Sequence, residues 1–248
     1  MLIACLECLT SDGRIMMLKI MGTDIATDTG RIERPIGIEQ PAEIGFFDGR
    51  ADLYLGKLSR VLDAIDRDSI DSAIGVIADA WLRGKQIITL GNGGSAMTAL
   101  HMISDWNKSI FNASKRQFRG RSLIDNMALV MSYGNDVSFE DIFVEQLKGI
   151  IQPGDLVIAL SGSGNSENVI RAISYANQNQ ATTLGLCGYD GGRLKSVAQH
   201  VVWIKANDMQ LCEDAHAIFG HIVMQSLCNM SDKSLSLAGD PLCPPCKQ

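Results

Sequence analysis

From Ala51 onward apolar residues recur at helical spacing, first Leu53, Leu55, Leu58, Val61, Leu62 and Ile65, then after a short break Ile70, Ile74, Ile77, Ala78 and Trp81. The spacing predicts two amphipathic helices, the second closed by Gly84. Beyond Gly84 the pattern changes to short, continuously apolar runs that end in Gly or Ser and are separated by longer amphipathic stretches. These predict strands over 86–90, 127–131, 156–160, 182–186 and 201–204. The intervening helices are predicted to begin near Ser95, Phe139, Asn165 and Gly191, and a long last one near Gln210. Apolar strands alternating with helices imply a parallel sheet covered on both faces. The predicted fold is therefore α/β, a doubly wound five-stranded parallel sheet with an N-terminal helical pair. Residues 1–48 lack sustained periodicity and read as an extension. Residues 49–231 form the predicted domain and 232–248 a C-terminal tail.

Composition narrows the function classes. Of 248 residues, 22 are Lys or Arg and 28 Asp or Glu, a formal charge of −6. A nucleic-acid partner needs a basic stripe to neutralise phosphates, so none is expected. No run reaches the roughly 18 apolar residues of a membrane span, and the N-terminus lacks the features of a signal peptide. A cytoplasmic location is expected. The seven cysteines are an odd number in a chain large enough to fold without disulfides. Cys5-x-x-Cys8 and Cys243-x-x-Cys246 have the spacing of a four-cysteine zinc site. Both pairs sit in tails that need not meet, so reduced thiols are the expectation.

In open α/β sheets ligands bind beyond the carboxyl ends of the strands, and two predicted turns there carry chemistry. The first is Gly91-Asn92-Gly93-Gly94-Ser95, where glycines admit a ligand to the backbone and the following helix offers unpaired N–H groups. The second is Ser161-Gly162-Ser163-Gly164-Asn165-Ser166. Three hydroxyls and several amides converge there at a helix N-terminus, which favours an anion. No Walker lysine is present, so a monophosphate is expected rather than a nucleoside triphosphate. Gly91, Gly93 and Ala96 satisfy a loose dinucleotide-binding pattern. Nothing acidic lies between Asp105 and Asp125, where that pattern requires a ribose-binding carboxylate, so NAD is set aside.

His101 and Asp105, four residues apart, fall on one face of the helix after the first turn and are expected near its ligand end. The last helix carries Glu213, Asp214, His216 and His221, in a chain with only four histidines. Together these form a candidate His/carboxylate metal or acid–base site. Glu213 and His221 are about 12 Å apart along a straight helix. They reach one ion only if the helix starts after Glu213 or if two subunits contribute.

The run GNGGSAMTALHMISD, then YGNDVSFEDIF, PGDLVIALSGSGNSENVIRAI, LGLCGYDGGRLKSVA and EDAHAIFGHIV resembles, in order, the phosphoheptose isomerases of the sugar isomerase (SIS) domain family. The resemblance covers about residues 50–231. It implies an aldose–ketose isomerase that converts sedoheptulose 7-phosphate to D-glycero-D-manno-heptose 7-phosphate through an enediol, as a homotetramer with active sites at subunit interfaces. It also implies one zinc per site, although His/carboxylate ligation accepts iron or manganese too. By position it assigns Asn92, Gly93, Ser95, Asp136, Ser161, Gly162, Ser163 and Ser166 to the phosphosugar, and His101, Asp105, Glu213 and His221 to the metal. Asp105 and His221 would be the acid–base pair. This chain departs from the family's pattern in having Asp105 for a glutamate, Glu213 for a glutamine, Gly162 for a threonine and Ser109 for an arginine, with Lys108 beside it. The rival readings are an isomerase of another sugar phosphate and a non-catalytic SIS module that binds a phosphosugar or a protein.

Overall fold

The computed structural model describes residues 50–236. The predicted extension, most of the C-terminal tail and both Cys-x-x-Cys pairs lie outside the described residues. Helix α1 (Arg50–Asp63) lays Tyr54, Leu58, Val61 and Leu62 on the core and leaves Leu53 and Leu55 exposed. Helix α2 (Arg67–Leu82) starts where the Asp66 carboxylate accepts from the Asp68 amide at 3.1 Å. That is an N-cap bond for an otherwise unpaired first-turn amide. Gly84 ends the helix at φ +66°, a backbone conformation glycine adopts without strain.

The remaining elements alternate around a sheet. They are β1 (Ile87–Gly91), α3 (Gly93–Asp105), a π-helical turn (Trp106–Ile110) that runs into α4 (Phe111–Ser114), β2 (Gly120–Ser122), α5 (Met127–Asp136), a 3₁₀ turn (Phe139–Asp141), α6 (Ile142–Lys148), β3 (Leu156–Ser161), α7 (Glu167–Gln178), β4 (Thr182–Cys187), α8 (Leu194–Val197), β5 (His200–Trp203) and α9 (Met209–Ser236). All pairings are parallel, in the order β2-β1-β3-β4-β5, with Ile87 opposite Leu156 and Gly91 opposite Leu160. The strand order reverses between β1 and β3, so the crevice beyond their carboxyl ends is the site such sheets use for ligands.

Successive strand residues point to opposite faces. Ile87, Leu156, Ile158 and Leu160 join one cluster with α2, α3 and α9, while Ile88, Leu90, Val157 and Ala159 join another with α6 and α7. Both sheet faces are therefore buried, which is why the strands are apolar throughout rather than alternating.

One predicted strand is a helix. Residues 127–131 form the start of α5, where the Asn126 side chain accepts from the Leu129 amide at 3.2 Å. The second strand is instead the three-residue Gly120–Ser122. The sheet edge needs no more, and the apolar MALVM run stays out of it, with Met131 68% exposed. Helix α6 and the long α7 begin a few residues later than predicted, and α9 one residue earlier. No helix among the described residues is long and apolar enough to cross a membrane.

Candidate functional site

The two Gly/Ser turns meet at the β1/β3 switch point. Gly91 has no room for a side chain, since a Cβ there would lie 2.9 Å from the Leu160 carbonyl and 2.9 Å from the Ser95 backbone. This close approach brings the first turn against the second. Asn92 occupies the N-cap position of α3 but makes no cap bond. Its amide instead exchanges two hydrogen bonds with Asn168 on α7, at 2.8 and 3.0 Å. Ser166 at the N-cap of α7 likewise makes no side-chain cap bond. The first turns of both helices are thus uncapped by side chains, in the position from which helix N-termini bind anions. Ser161 is nearly buried, accepts from the Gly164 amide at 3.2 Å and lies 3.4 Å from the Ser166 hydroxyl. Ser163 accepts from the Asn165 amide at 3.3 Å, and Ser95 is buried at the start of α3. Gly93 takes φ +54° at the same turn. Gly162 lies under the Met209 thioether, which a Cβ would approach to 2.3 Å. The space where the family's threonine side chain would begin is filled from α9.

Helices α3 and α9 run parallel with a constant register. Glu213 lies on Gly94, Met102 on Gly220, and His101 beside His221. Gly220 lets the helices approach, and its carbonyl accepts from Trp106 Nε1 at 2.9 Å. At that end of α3, His101 Nε2 and His221 Nε2 are 3.1 Å apart. Asp105 Oδ2 is 3.5 Å from the first and 3.9 Å from the second. One ligand atom from each residue lies within 4.8 Å of the others. Two imidazole nitrogens on one tetrahedral zinc stand about 3.3 Å apart, so the imidazole pair is near the spacing such an ion sets, with the Asp105 carboxylate slightly farther out. The histidine side chains are about half exposed, which leaves room for a further donor or a substrate.

Two predicted site residues are placed differently from expectation. His101 is not at the ligand end of its helix: it sits eight residues beyond Gly93, about 12 Å along the axis. Glu213 does not join the cluster. Helix α9 begins at Met209, before Glu213, and the Glu213 carboxylate packs on Gly94, where a Cβ would be 2.3 Å from it. Asp136 stands at the exposed end of α5, hydrogen bonded by Ser132 at 3.3 Å and Asn135 at 2.8 Å. Lys108 and Ser109 fall in the π-helical turn after Asp105, an irregularity frequent at functional sites.

Sequence reasoning gave no role to Asn168, although it falls within the run PGDLVIALSGSGNSENVIRAI. It also missed the role of Gly220, whose signal is a glycine inside an otherwise continuous helix. His216 is buried on α9, and neither ring nitrogen has a hydrogen-bond partner among the described residues. Burial pushes its pKa down to about 4, opposed weakly by the Cys187 backbone. It is a neutral core imidazole, and the predicted density of titratable groups on α9 overstated the site.

A model of the SIS domain matches residues 53–188. A phosphoheptose isomerase from Geobacter sp. strain M21 is 32% identical over 172 residues, 69% of this chain and 87% of the relative. Among solved structures, a phosphoheptose isomerase from Francisella tularensis superposes with a TM-score of 0.68 at 19% identity, covering 73% of this chain and 97% of that one. The Vibrio vulnificus NanR protein complexed with ManNAc-6P shares the fold at a TM-score of 0.53 and 16% identity, covering 77% of this chain and 67% of that one.

Proposed function

The chain belongs to the SIS-domain family and, within it, to the phosphoheptose isomerases, and we propose that it interconverts sedoheptulose 7-phosphate and D-glycero-D-manno-heptose 7-phosphate at a site built from the two Gly/Ser turns and the His101, Asp105, His221 cluster. It is a sugar-phosphate isomerase. The observation that carries the catalytic assignment is the convergence of two imidazoles and a carboxylate within 4.8 Å, a group that a module evolved only to hold a phosphosugar has no need to keep.

Ketose–aldose interconversion moves a proton between adjacent carbons and requires a base near carbon plus a means of protonating oxygen. Ser161, Ser163, Ser166 and Ser95 hold the phosphate together with Asn92 and the backbone of Gly93 and Gly162. Their binding energy, remote from the reacting carbons, orients the open chain. Asp105 takes the C1 proton of the ketose and returns it to C2. His221 supplies a proton to the carbonyl oxygen as the enediol forms and recovers one from the neighbouring hydroxyl. The net change is a relocation of hydrogen, with no atoms gained. Asp136 would reach sugar hydroxyls from the end of α5. His101, His221 and Asp105 would hold a zinc ion, which when bound polarises the sugar's carbonyl and hydroxyl oxygens. Iron and manganese suit the same donors.

Glu213 reaches that ion only from a second copy, because within one chain it lies by Gly94, seven residues or about 10 Å from His101 along α3. A homotetramer with sites at subunit interfaces follows from the same reading. It is supported by the exposed apolar residues Leu53 and Leu55 on α1, Met97 on α3 and Met131 on α5. A cytoplasmic setting with reduced thiols belongs to this proposal as well.

The test is to incubate the full chain with sedoheptulose 7-phosphate, with and without a chelator, and follow the aldoheptose phosphate by NMR. Product that disappears on chelation and returns with zinc is expected. Binding of the ketose with no turnover under any metal supports the binding-module rival, and turnover of a different ketose phosphate alone moves the substrate assignment.

A further inference from the structure

An anion can approach backbone amides only where the neighbouring carbonyl oxygens are turned away and occupied, because a carbonyl dipole facing the anion repels it. In the 161–166 turn three successive carbonyls meet this condition on the side facing the loop after β4. The Gly162 carbonyl accepts from the Gly188 amide at 2.8 Å and the Gly164 carbonyl from the Leu194 amide at 2.9 Å. The Ser163 carbonyl between them accepts from the Asn165 side-chain amide at 3.1 Å. The same side chain reaches across to the neighbouring loop, its Oδ1 accepting from the Arg193 amide at 3.1 Å.

The two loops are locked backbone to backbone. A Cβ on Gly164 would lie 2.1 Å from the Gly191 carbonyl oxygen, and one on Gly192 would lie 2.5 Å from the Ser163 carbonyl oxygen. Gly164, Gly191 and Gly192 all take positive φ. Tyr189 also does so at φ +48°, a strained conformation for an aromatic residue. It is held there by its amide on the Ala206 carbonyl and by Trp203 Nε1 on its own carbonyl, both at 3.1 Å. The loop after β4 is thus a rigid backing, and among the described residues Asn165 is the side chain that ties the Ser163 carbonyl to it.

We propose that Asn165 is a positioning residue for the phosphate end of the substrate: by drawing the Ser163 carbonyl outward toward Arg193, it keeps that carbonyl's dipole off the anion and leaves the Ser163 hydroxyl to meet it. Asn165 need not touch the phosphate; it acts through Ser163. The proposal rests on the assignment of this turn to the substrate phosphate, and the experiment separates the two.

The readouts are KM and kcat for sedoheptulose 7-phosphate and the inhibition constant of inorganic phosphate, with thermal unfolding as a check on folding. Asn165→Ala is expected to raise KM and the phosphate inhibition constant together by about 10-fold, the scale of one lost hydrogen bond to a charged ligand's site. Its kcat should stay within about 3-fold, because the acid–base groups are untouched. Asn165→Asp keeps the shape and the acceptor for Arg193 but has no donor for the Ser163 carbonyl. It is expected to weaken phosphate at least as much and covers the case in which the alanine variant does not fold. Arg193→Ala removes only the exposed ion pair to Glu167 and keeps the backbone N–H, so its phosphate inhibition constant should stay within about 2-fold. An unchanged phosphate constant in Asn165→Asp overturns the proposal, as does an Arg193→Ala effect equal to that of Asn165→Ala. Ser161→Ala is the control on the premise: if it too leaves phosphate inhibition unchanged, the assignment of the turn fails first.

Discussion

Replacing Asp105 by Asn keeps the side chain's size and removes its capacity to take a proton, while His221→Ala removes the proposed partner acid. Each substitution should lower turnover by at least about 10²-fold, the usual contribution of a positioned acid or base. Exchange of solvent deuterium into the sugar separates the two roles: exchange is lost in Asp105→Asn, and near-normal turnover in either variant would refute the pair. His216, three residues beyond Glu213, has a different fate. It is buried, with only the Cys187 backbone beside it to favour the charged form, and its pKa is pushed down to about 4, whereas an unfolded histidine titrates near 6.5. Between those values the unfolded chain binds the extra proton. Stability therefore falls as pH drops from about 6.5 to about 4 and loses nothing more to this group below that. The full effect is about 3 kcal/mol. In His216→Leu, urea unfolding at pH 7 and pH 4 should differ by correspondingly less than in the parent protein. Equal losses in both would mean that the imidazole reaches water or a partner.

The packing of α3 on α9 decides whether the His101 and His221 rings meet. Gly220 is the contact point, and a Cβ there would lie 2.8 Å from Met102 Cγ. Met102 is itself 1% exposed, so it would have to shift within the packed interior. Gly220→Val should therefore cost about 1–3 kcal/mol by overpacking, despite valine's better helix propensity. It should also weaken zinc binding by parting the rings. Thermal unfolding and a zinc titration check this, and a variant with unchanged affinity would show that the helices tolerate the wedge. The sequence pattern made four of the five strands legible: β1, β3 and β4 are buried on both faces and end in Gly91, Ser161 and Cys187 at the ligand edge, while the edge strand β5 shows through its Val201–Val202 pair. It misassigned residues 127–131 because a short apolar run has no period of its own. The true β2, Gly-Arg-Ser, is an edge strand too short to carry any pattern. The His/carboxylate spacing was legible as a helix face, and α3–α9 packing completed the cluster. Neither the Asn92–Asn168 exchange nor the π-helical turn after Asp105 could be read, since both depend on contacts between distant segments or on a local helix irregularity with no spacing rule.

The described residues hold the two parts of the proposed site apart. Ser95 and the 161–166 turn gather at the start of α3, with Glu213 beside them, and the His101, Asp105, His221 cluster closes its far end. Ser95 and Asp105 are ten residues apart, about 15 Å along the axis. A two-fold axis crossing α9 between Glu213 and His221 would turn the pair of helices end for end. The phosphate turns and Glu213 of one copy would then face the cluster of the other, which is the self-complementary contact of an isologous dimer. This arrangement has a sharp consequence for mixed assemblies. A chain with Ser161, Ser163 and Ser166 all replaced by Ala and a His221→Ala chain should each be nearly inactive alone. If each site takes its serines from one chain and its imidazoles from another, subunit exchange restores intact sites. Half of random pairs are then mixed and each mixed pair carries one intact site of two, so about a quarter of the parent activity should return in the unfractionated mixture and about half in a fraction made only of mixed pairs. If both parts of the site come from one chain, every chain in the mixture carries a defect and no activity returns. Co-expression with two affinity tags, followed by an isomerase assay on the doubly purified fraction, decides between them. Because that fraction contains only mixed assemblies, activity that fails to rise above the single variants rules out the shared site.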